Sequence, residues 1–424
     1  MPHLVLIGLA AILLWSLISH RFERWGVAGP IGLVLLGAVT VIWDVDSFGT
    51  AIDSPISEKI VEVILAILLF ADATEVKGGI FGREGRVIAR LVLIALPLSI
   101  VLTVATGMLL IPDTGLLVLL VVACVILPID FAPAASLLRN RRLPARLRQI
   151  LNVESGYNDG LISPVFGMSL ALAVIWSTIV RTPESDITDD ALEGPAIQFM
   201  DAFINAVPST VIAVAIGIVL GTGIGYLVRI ARARLIADAL GARYVMLILP
   251  LIAYGVASIP IFNANGFVAA FVAGIGYRLT RTRGHRSEGI DRSELLLVEE
   301  VGALAANFVW FVLGGAMLLV ITSGIDWWML LFAVLALTLL RVVPVYLSLM
   351  GSSVGRRDRL LIGALGPRGT ASIVFGLLAY NALPEDEGVA VLTIMVATVV
   401  GSILLHGLAA PLLVNRRKVG EEIA

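Results

Sequence analysis

Charge is scarce in this chain. Only 15% of its 424 residues are Asp, Glu, Lys or Arg, while 58% are hydrophobic and the mean hydropathy is +0.99. Soluble domains carry about 25% charged residues, so this composition cannot clothe a water-facing surface. Apolar runs of about 20 residues, the length a bilayer core requires, recur from one end to the other. The chain is therefore read as a polytopic, all-α membrane protein, because helices satisfy their own backbone in lipid. A single cysteine, Cys124, excludes an intramolecular disulfide framework and is expected to pack as a small apolar residue. No HExxH, GxSxG or phosphate-cradling P-loop occurs, which argues against a membrane protease, a serine hydrolase or an ATP-driven pump. No enzyme activity, cofactor or nucleic-acid partner is expected. The first apolar run lacks a basic leader and a small-residue cleavage site, and is expected to be a retained span. No soluble domain is expected on either side of the bundle.

Apolar runs and their polar breaks give thirteen spans: 4–19, 27–43, 56–76, 87–111, 115–138, 150–180, 199–228, 243–258, 262–279, 295–321, 327–349, 359–381 and 388–414. The pair around Ser258-Ile259-Pro260 is short enough to be one kinked span, which would make twelve. Loop charge favours thirteen. With the C-terminus in the cytoplasm and the N-terminus outside, 26 of the 30 Lys and Arg residues fall in cytoplasmic loops, the set from Arg278 to Arg292 among them. That one-sidedness is the positive-inside pattern, and one missed or invented span would abolish it. The opposite loops are acidic, as in Asp44, Asp46, Asp53 and Glu184 to Glu193. The stretch from Arg181 to Gln198 reads as a surface loop or a short interfacial helix.

Charges inside the spans are few, and each costs about 2.5–3.5 kcal/mol at mid-bilayer on insertion scales. They are Glu62 and Asp72 in the third span, Asp130 in the fifth, Glu154 and Asp159 in the sixth, Arg341 in the eleventh and Arg368 in the twelfth. Glu62 reads as interfacial, and Asp72, near a span end, is open between a capping and a site role. Asp201 reads as a helix N-terminal acid, and His406 as a satisfied packing histidine. Two spans carry helix breakers at mid-depth: Pro128 and Pro133 around Asp130, and Gly363, Gly366, Pro367 and Gly369 around Arg368. Unwound backbone at membrane depth is tolerated only beside protein or a cavity, so this pair points to a transport site. On a helix, Ser155, Asp159 and Ser163 share one stripe, and Glu154 and Asn158 an adjacent one. Asp159 is the candidate to hold a cation or a proton, with Asn158 and Ser155 as neutral oxygen ligands for a hard monovalent ion. Glu154 is expected to pair with an arginine, since a buried arginine cannot shed its proton.

Leu127-Pro128-Ile129-Asp130, Arg142-Leu143-Pro144, Arg146-Leu147-Arg148 and Val153-Glu154-Ser155-Gly156-Tyr157-Asn158-Asp159-Gly160 resemble the central block of the monovalent cation/proton antiporters. The branch is the prokaryotic NhaP-like one, related to the sodium/hydrogen exchangers. Gly366-Pro367-Arg368-Gly369-Thr370 resembles that family's late Gly-x-Arg-Gly segment, and Leu68-Leu69-Phe70-Ala71-Asp72-Ala73 its third-span motif. Arg341 stands where a late-span arginine is usual. The resemblance implies about thirteen helices with inverted repeats and two crossed, interrupted helices, the fifth and twelfth spans. It implies a core domain over spans 87–180 and 327–414, a dimer-interface domain over spans 1–76 and 199–321, and a homodimer in the cell membrane. Asp159 would alternately take Na⁺ and H⁺, with Asp130, Ser155, the backbone near Ile129, and Asp72 completing the site. Glu154 would pair with Arg341 or Arg368. An Asn-Asp pair, where electrogenic relatives carry two aspartates, implies electroneutral Na⁺(Li⁺)/H⁺ exchange. K⁺/H⁺ exchange, or a channel or sensor that has kept the fold, are the alternatives. Ile129 stands where the family usually has Thr, which removes the expected neighbour of Asn158, and Tyr157 replaces a common leucine.

Overall fold

The computed structural model describes residues 2–24, 29–76, 84–134, 143–181, 189–283 and 289–409. Parts of the predicted loops lie outside them: Lys77, Arg83, Arg139, Arg141, Arg142, residues 182–188 and the basic residues from Arg416 to Lys418. The described residues are 85% helical, with no strand among them. The helices are α1 (Pro2–Arg24), α2 (Gly29–Val41), α3 (Val45–Ile52), α4 (Pro55–Glu75), α5 (Gly85–Leu110), α6 (Leu116–Ile126), α7 (Ala145–Arg181) and α8 (Asp189–Ala233). There follow α9 (Ala239–Ala257), α10 (Gly266–Arg281), α11 (Arg292–Ser323), α12 (Trp327–Ser348), α13 (Arg356–Ala364), α14 (Thr370–Ala382) and α15 (Glu385–Gly407).

Where they are described, the predicted runs overlap helices; residues 135–138 of the fifth run and 410–414 of the last lie outside the described residues. Seven of the described helices are individually long and apolar enough to cross a bilayer. The short pair around Pro260 resolves into separate helices, α9 and α10, with Asn265 capping the second through the amides of Phe267 and Val268. Helix starts follow their capping residues elsewhere too: Ser54 opens α4, Asp238 α9, Asp291 α11 and Asp326 α12. One feature was not anticipated: α3, short and bent by 116° from α2. In α5 the turn Leu91–Ala95 is π-helical, just before Pro97, whose missing N–H interrupts the ordinary ladder. Another departure is that α8 begins at Asp189, so Asp201 lies on an exposed helix face more than two turns in and is no N-terminal acid.

Surface polar contacts tie the ends of the bundle. Arg146, at the start of α7, holds Glu84 through Nε and Nη2 (2.8 and 2.9 Å) and also reaches Ser353. The guanidinium keeps the Glu84 carboxyl below the usual carboxylate range. At the opposite end of α7, Arg181 pairs with Asp386 in the first turn of α15, and Ser177 donates to Glu387 at 2.6 Å. Glu62 pairs with Lys59 near the start of α4.

Candidate functional site

Two chain breaks meet in the middle of the bundle. The last helical bond of α6 runs from the Leu127 amide to Ala123, after which Pro128 cannot donate and the chain leaves the helix. The second break separates α13 from α14 over residues 365–369. The breaks are bonded to one another, with the Asp130 amide donating to the Pro367 carbonyl at 2.9 Å. Each also supplies the other's helix end with a charge. The carboxylate of Asp130 accepts from the amide and hydroxyl of Thr370 (2.9 and 2.6 Å) and so caps the positive end of α14. Arg368 donates to the Ile126 carbonyl at the negative end of α6, to Gly366 (2.6 Å), and to Ala336 in α12 (3.3 Å). A Cβ at position 369 would overlap the Asp130 carboxylate, which is why the residue before Thr370 is glycine.

Alongside the crossing runs α7. Its Ser155 hydroxyl donates to the Ile129 carbonyl at 2.9 Å, leaving the serine oxygen's lone pairs for another partner. Asp159, four residues on and 4% exposed, has its Oδ1 buried with no hydrogen-bond partner. It faces a cavity of about 270 Å³ shared with Asp72, Glu75, Asp130, Glu299 and Thr370. The carboxylates share a wall without converging, as they stand, into a group of three able to grip a metal ion. Asp72 is half-buried and lines this cavity. Exposed Glu75, one helical turn further at the end of α4, marks its mouth.

The adjacent stripe of α7 meets different company. Glu154 is buried and takes a hydrogen bond from Arg341 at 3.0 Å, and Arg341 also reaches the Ile362 carbonyl at 3.3 Å. Arg368 spends its guanidinium on backbone carbonyls. Asn158 lines a small void with Ser99, Leu127, Glu154 and Arg341, separate from the cavity that Asp159 faces. Successive helical residues point about 100° apart, so Asn158 goes with Glu154 and Asp159 with Ser155. Of the sequence-predicted site residues, Asp72, Asp130 and Asp159 are brought to one cavity, with Ser155 and the Ile129 carbonyl bonded to each other. Asn158, Glu154 and Arg341 form a second group.

Four participants escaped the sequence reading. Thr370 was legible as the first residue after a break, and Glu75 by its i, i+3 spacing from Asp72. Glu299 had no such signal. Arg278 was assigned to a cytoplasmic loop; it is instead 1% exposed within α10, donating to the Val76 carbonyl (2.7 Å) and the Tyr157 hydroxyl (3.2 Å). Tyr157 therefore faces α10, edge-on to Phe271 with centroids 5.6 Å apart, and is not among the residues lining the acidic cavity. His406 is satisfied, through Ser402 and the Ala364 carbonyl.

Known proteins share this fold. The architecture matches the sodium proton antiporter MjNhaP1 from Methanocaldococcus jannaschii at pH 8 with a TM-score of 0.74, covering 95% of this chain and 98% of that one at 18% identity. A second structure of that antiporter, from an electron-microscopy map, matches with a TM-score of 0.68 over 98% and 97% of the two chains, at 19% identity. A Na(+)/H(+) antiporter of Schizosaccharomyces pombe is 23% identical over 345 residues, 78% of this chain and 68% of its own length. The family profile described as sodium/hydrogen exchanger, transmembrane, spans residues 8–416. On that match the chain belongs to the sodium/hydrogen exchanger family, membrane transporters that exchange a cation for protons.

Proposed function

We propose that the protein exchanges Na⁺ or Li⁺ for H⁺, one for one, by alternating access at Asp159. The observation that carries this reading is that Asp159, buried and with its Oδ1 lacking a hydrogen-bond partner, lines an acid-rich cavity. Of the other central charges, Asp130 is committed to the end of α14, Glu154 to Arg341 and Arg368 to backbone carbonyls. A carboxylate left over at this depth is costly when bare and neutral when it carries either H⁺ or a monovalent cation. The loaded forms have equal charge and can cross between faces, whereas the empty form resists crossing. Exchange is then obligatory and moves no net charge. Ser155, Asp130, the Ile129 carbonyl and Asp72 are the proposed further ligands, and Asn158 acts from the Glu154 side as an orienting neighbour.

The moving body in this proposal comprises α5–α7 with α12–α15. Its support is that Glu154–Arg341, Arg181–Asp386 and the crossed breaks all join residues 84–181 to residues 336–407. The one-sided basic loops support a cell-membrane orientation with the N-terminus outside. On that orientation Glu75 and the cavity mouth face the cytoplasm.

The test is exchange in proteoliposomes. Asp159→Asn is expected to abolish cation-driven proton movement while the melting temperature stays within a few degrees; full activity in that variant overturns the mechanism. Na⁺, Li⁺ and K⁺ compared with and without a potassium clamp decide the rest. A rate that follows membrane voltage removes the one-for-one stoichiometry, and a K⁺ preference replaces the Na⁺ reading.

A further inference from the structure

The last described helix, α15, touches both breaks. Ser402 and His406, one turn apart on α15 and both fully buried, face the second break. Ser402 Oγ accepts the Arg368 amide at 2.7 Å and lies 3.2 Å from His406 Nδ1. His406 Nε2 lies 3.0 Å from the carbonyl of Ala364, the last residue of α13. A carbonyl only accepts, so Nε2 carries the ring hydrogen; in the neutral ring Nδ1 then accepts from the Ser402 hydroxyl. The backbone here is widened into a π-helical stretch, Ile403–Ala409, a form frequent at functional sites. Within it, the Cβ position of Gly407 comes to 3.2 Å from the Pro133 carbonyl of the first break.

We propose that His406 is a positioning residue for the crossing. Through one ring it fixes the carbonyl that ends α13 and, by way of Ser402, the amide of Arg368 on the far side of the gap. That sets the separation of the two half-helix ends across a segment with no helical ladder of its own. Arg368 in turn holds the end of α6, and Thr370, two residues further, holds Asp130. His406 thereby governs where the carboxylate of Asp130 stands without touching the cation itself. A residue that merely filled the space could be exchanged for leucine; one that bridges a donor and an acceptor could not.

The functional half of this inference rests on the Asp159 cavity being the transport site, so two measurements are needed. In proteoliposomes, His406→Leu is expected to raise the cation concentration for half-maximal exchange roughly tenfold. Ser402→Ala should shift it in the same direction, and the double variant should be no worse than His406→Leu, because both break one relay. His406→Gln, whose amide can still donate to Ala364, should recover to within about threefold of the natural protein. Unchanged half-saturation and turnover in His406→Leu overturn the proposal, as do additive effects in the double variant. The second measurement needs no transport: ¹⁵N NMR of histidine-labelled natural protein in lipid, with His406 assigned by its loss in His406→Gln. Protonated Nε2 with unprotonated Nδ1 is expected, and a protonated Nδ1 overturns the relay whatever the fate of Asp159→Asn.

Discussion

Glu154 and Asp159 sit five residues apart on the same helix, equally buried, and their surroundings differ in one respect. Glu154 has a guanidinium at 3.0 Å and an uncharged wall around it. Each keeps one buried carboxylate oxygen without a hydrogen-bond partner, but Asp159 has no paired arginine and shares a roomy cavity with two further aspartates. Burial alone therefore does not mark the carboxylate proposed to carry the exchange. A buried acid with a fixed cation is part of the frame; a buried acid beside other acids needs a mobile one. The difference follows from helical pitch, which sends positions 154 and 158 to one neighbour and positions 155 and 159 to another.

The sharpest way to break the comparison is to strand the arginine. Glu154→Ala leaves Arg341 buried and uncompensated, which costs about 3–5 kcal/mol in buried pairs. Low yield and a lowered melting temperature are expected, read by thermal unfolding in detergent. Replacing both partners, Glu154→Leu with Arg341→Met, should recover much of that stability; a melting temperature untouched by Glu154→Ala, with exchange lost, would move Glu154 into the ion site. An intermediate effect is expected of Gly369→Ala. Its methyl group displaces the Asp130 carboxylate from the end of α14, and lost caps cost on the order of 1 kcal/mol. The apparent cation affinity should weaken several-fold with expression kept, and an unaltered concentration dependence would show that Asp130 is not held by this cap. The smallest effect belongs to the surface. Glu84→Gln removes an exposed pair worth about 0.2–1 kcal/mol. Because Arg146 lowers the Glu84 carboxyl in the folded state, its contribution is present above the ordinary carboxylate range and fades as pH falls through the lowered value. The natural protein and Glu84→Gln should thus converge in melting temperature on acidification, with exchange unaffected throughout.

Much of this was legible in the chain itself. Membrane embedding, the positions of both breaks and the carboxylates of α7 follow from local rules: run length, missing amide hydrogens and the cost of intramembrane charge. What local rules cannot supply is direction across the bundle. Arg341 and Arg368 were equal candidates for Glu154, because cost says a charge needs a partner without saying which one. Arg368 turned out to serve carbonyls, a demand created only once two helices are cut short beside it. Arg278 was misplaced because its guanidinium lies three residues from the end of α10, where a loop and a buried anchor look alike in sequence. Glu299 reaches the cavity only through the packing of α11 against α4. Each of these needed a contact made across more than a hundred residues of chain.

That separation has a consequence for how the protein is made. The cap on α14 joins residues 240 apart, and the bond from Arg368 to the end of α6 joins residues 242 apart. A ribosome delivers Asp130 long before Thr370 exists, and α6 long before the arginine that seals its open end. Early spans can enter the bilayer one after another, but the carbonyls and carboxylate of the first break must wait, facing water or the insertion machinery. The proposed ion site is thus among the last parts of the molecule to be completed, in one late event that threads the second break beside the first. Truncation before residue 370 would leave a bundle with most of its helices and with Asp130 lacking the Thr370 amide and hydroxyl that it caps.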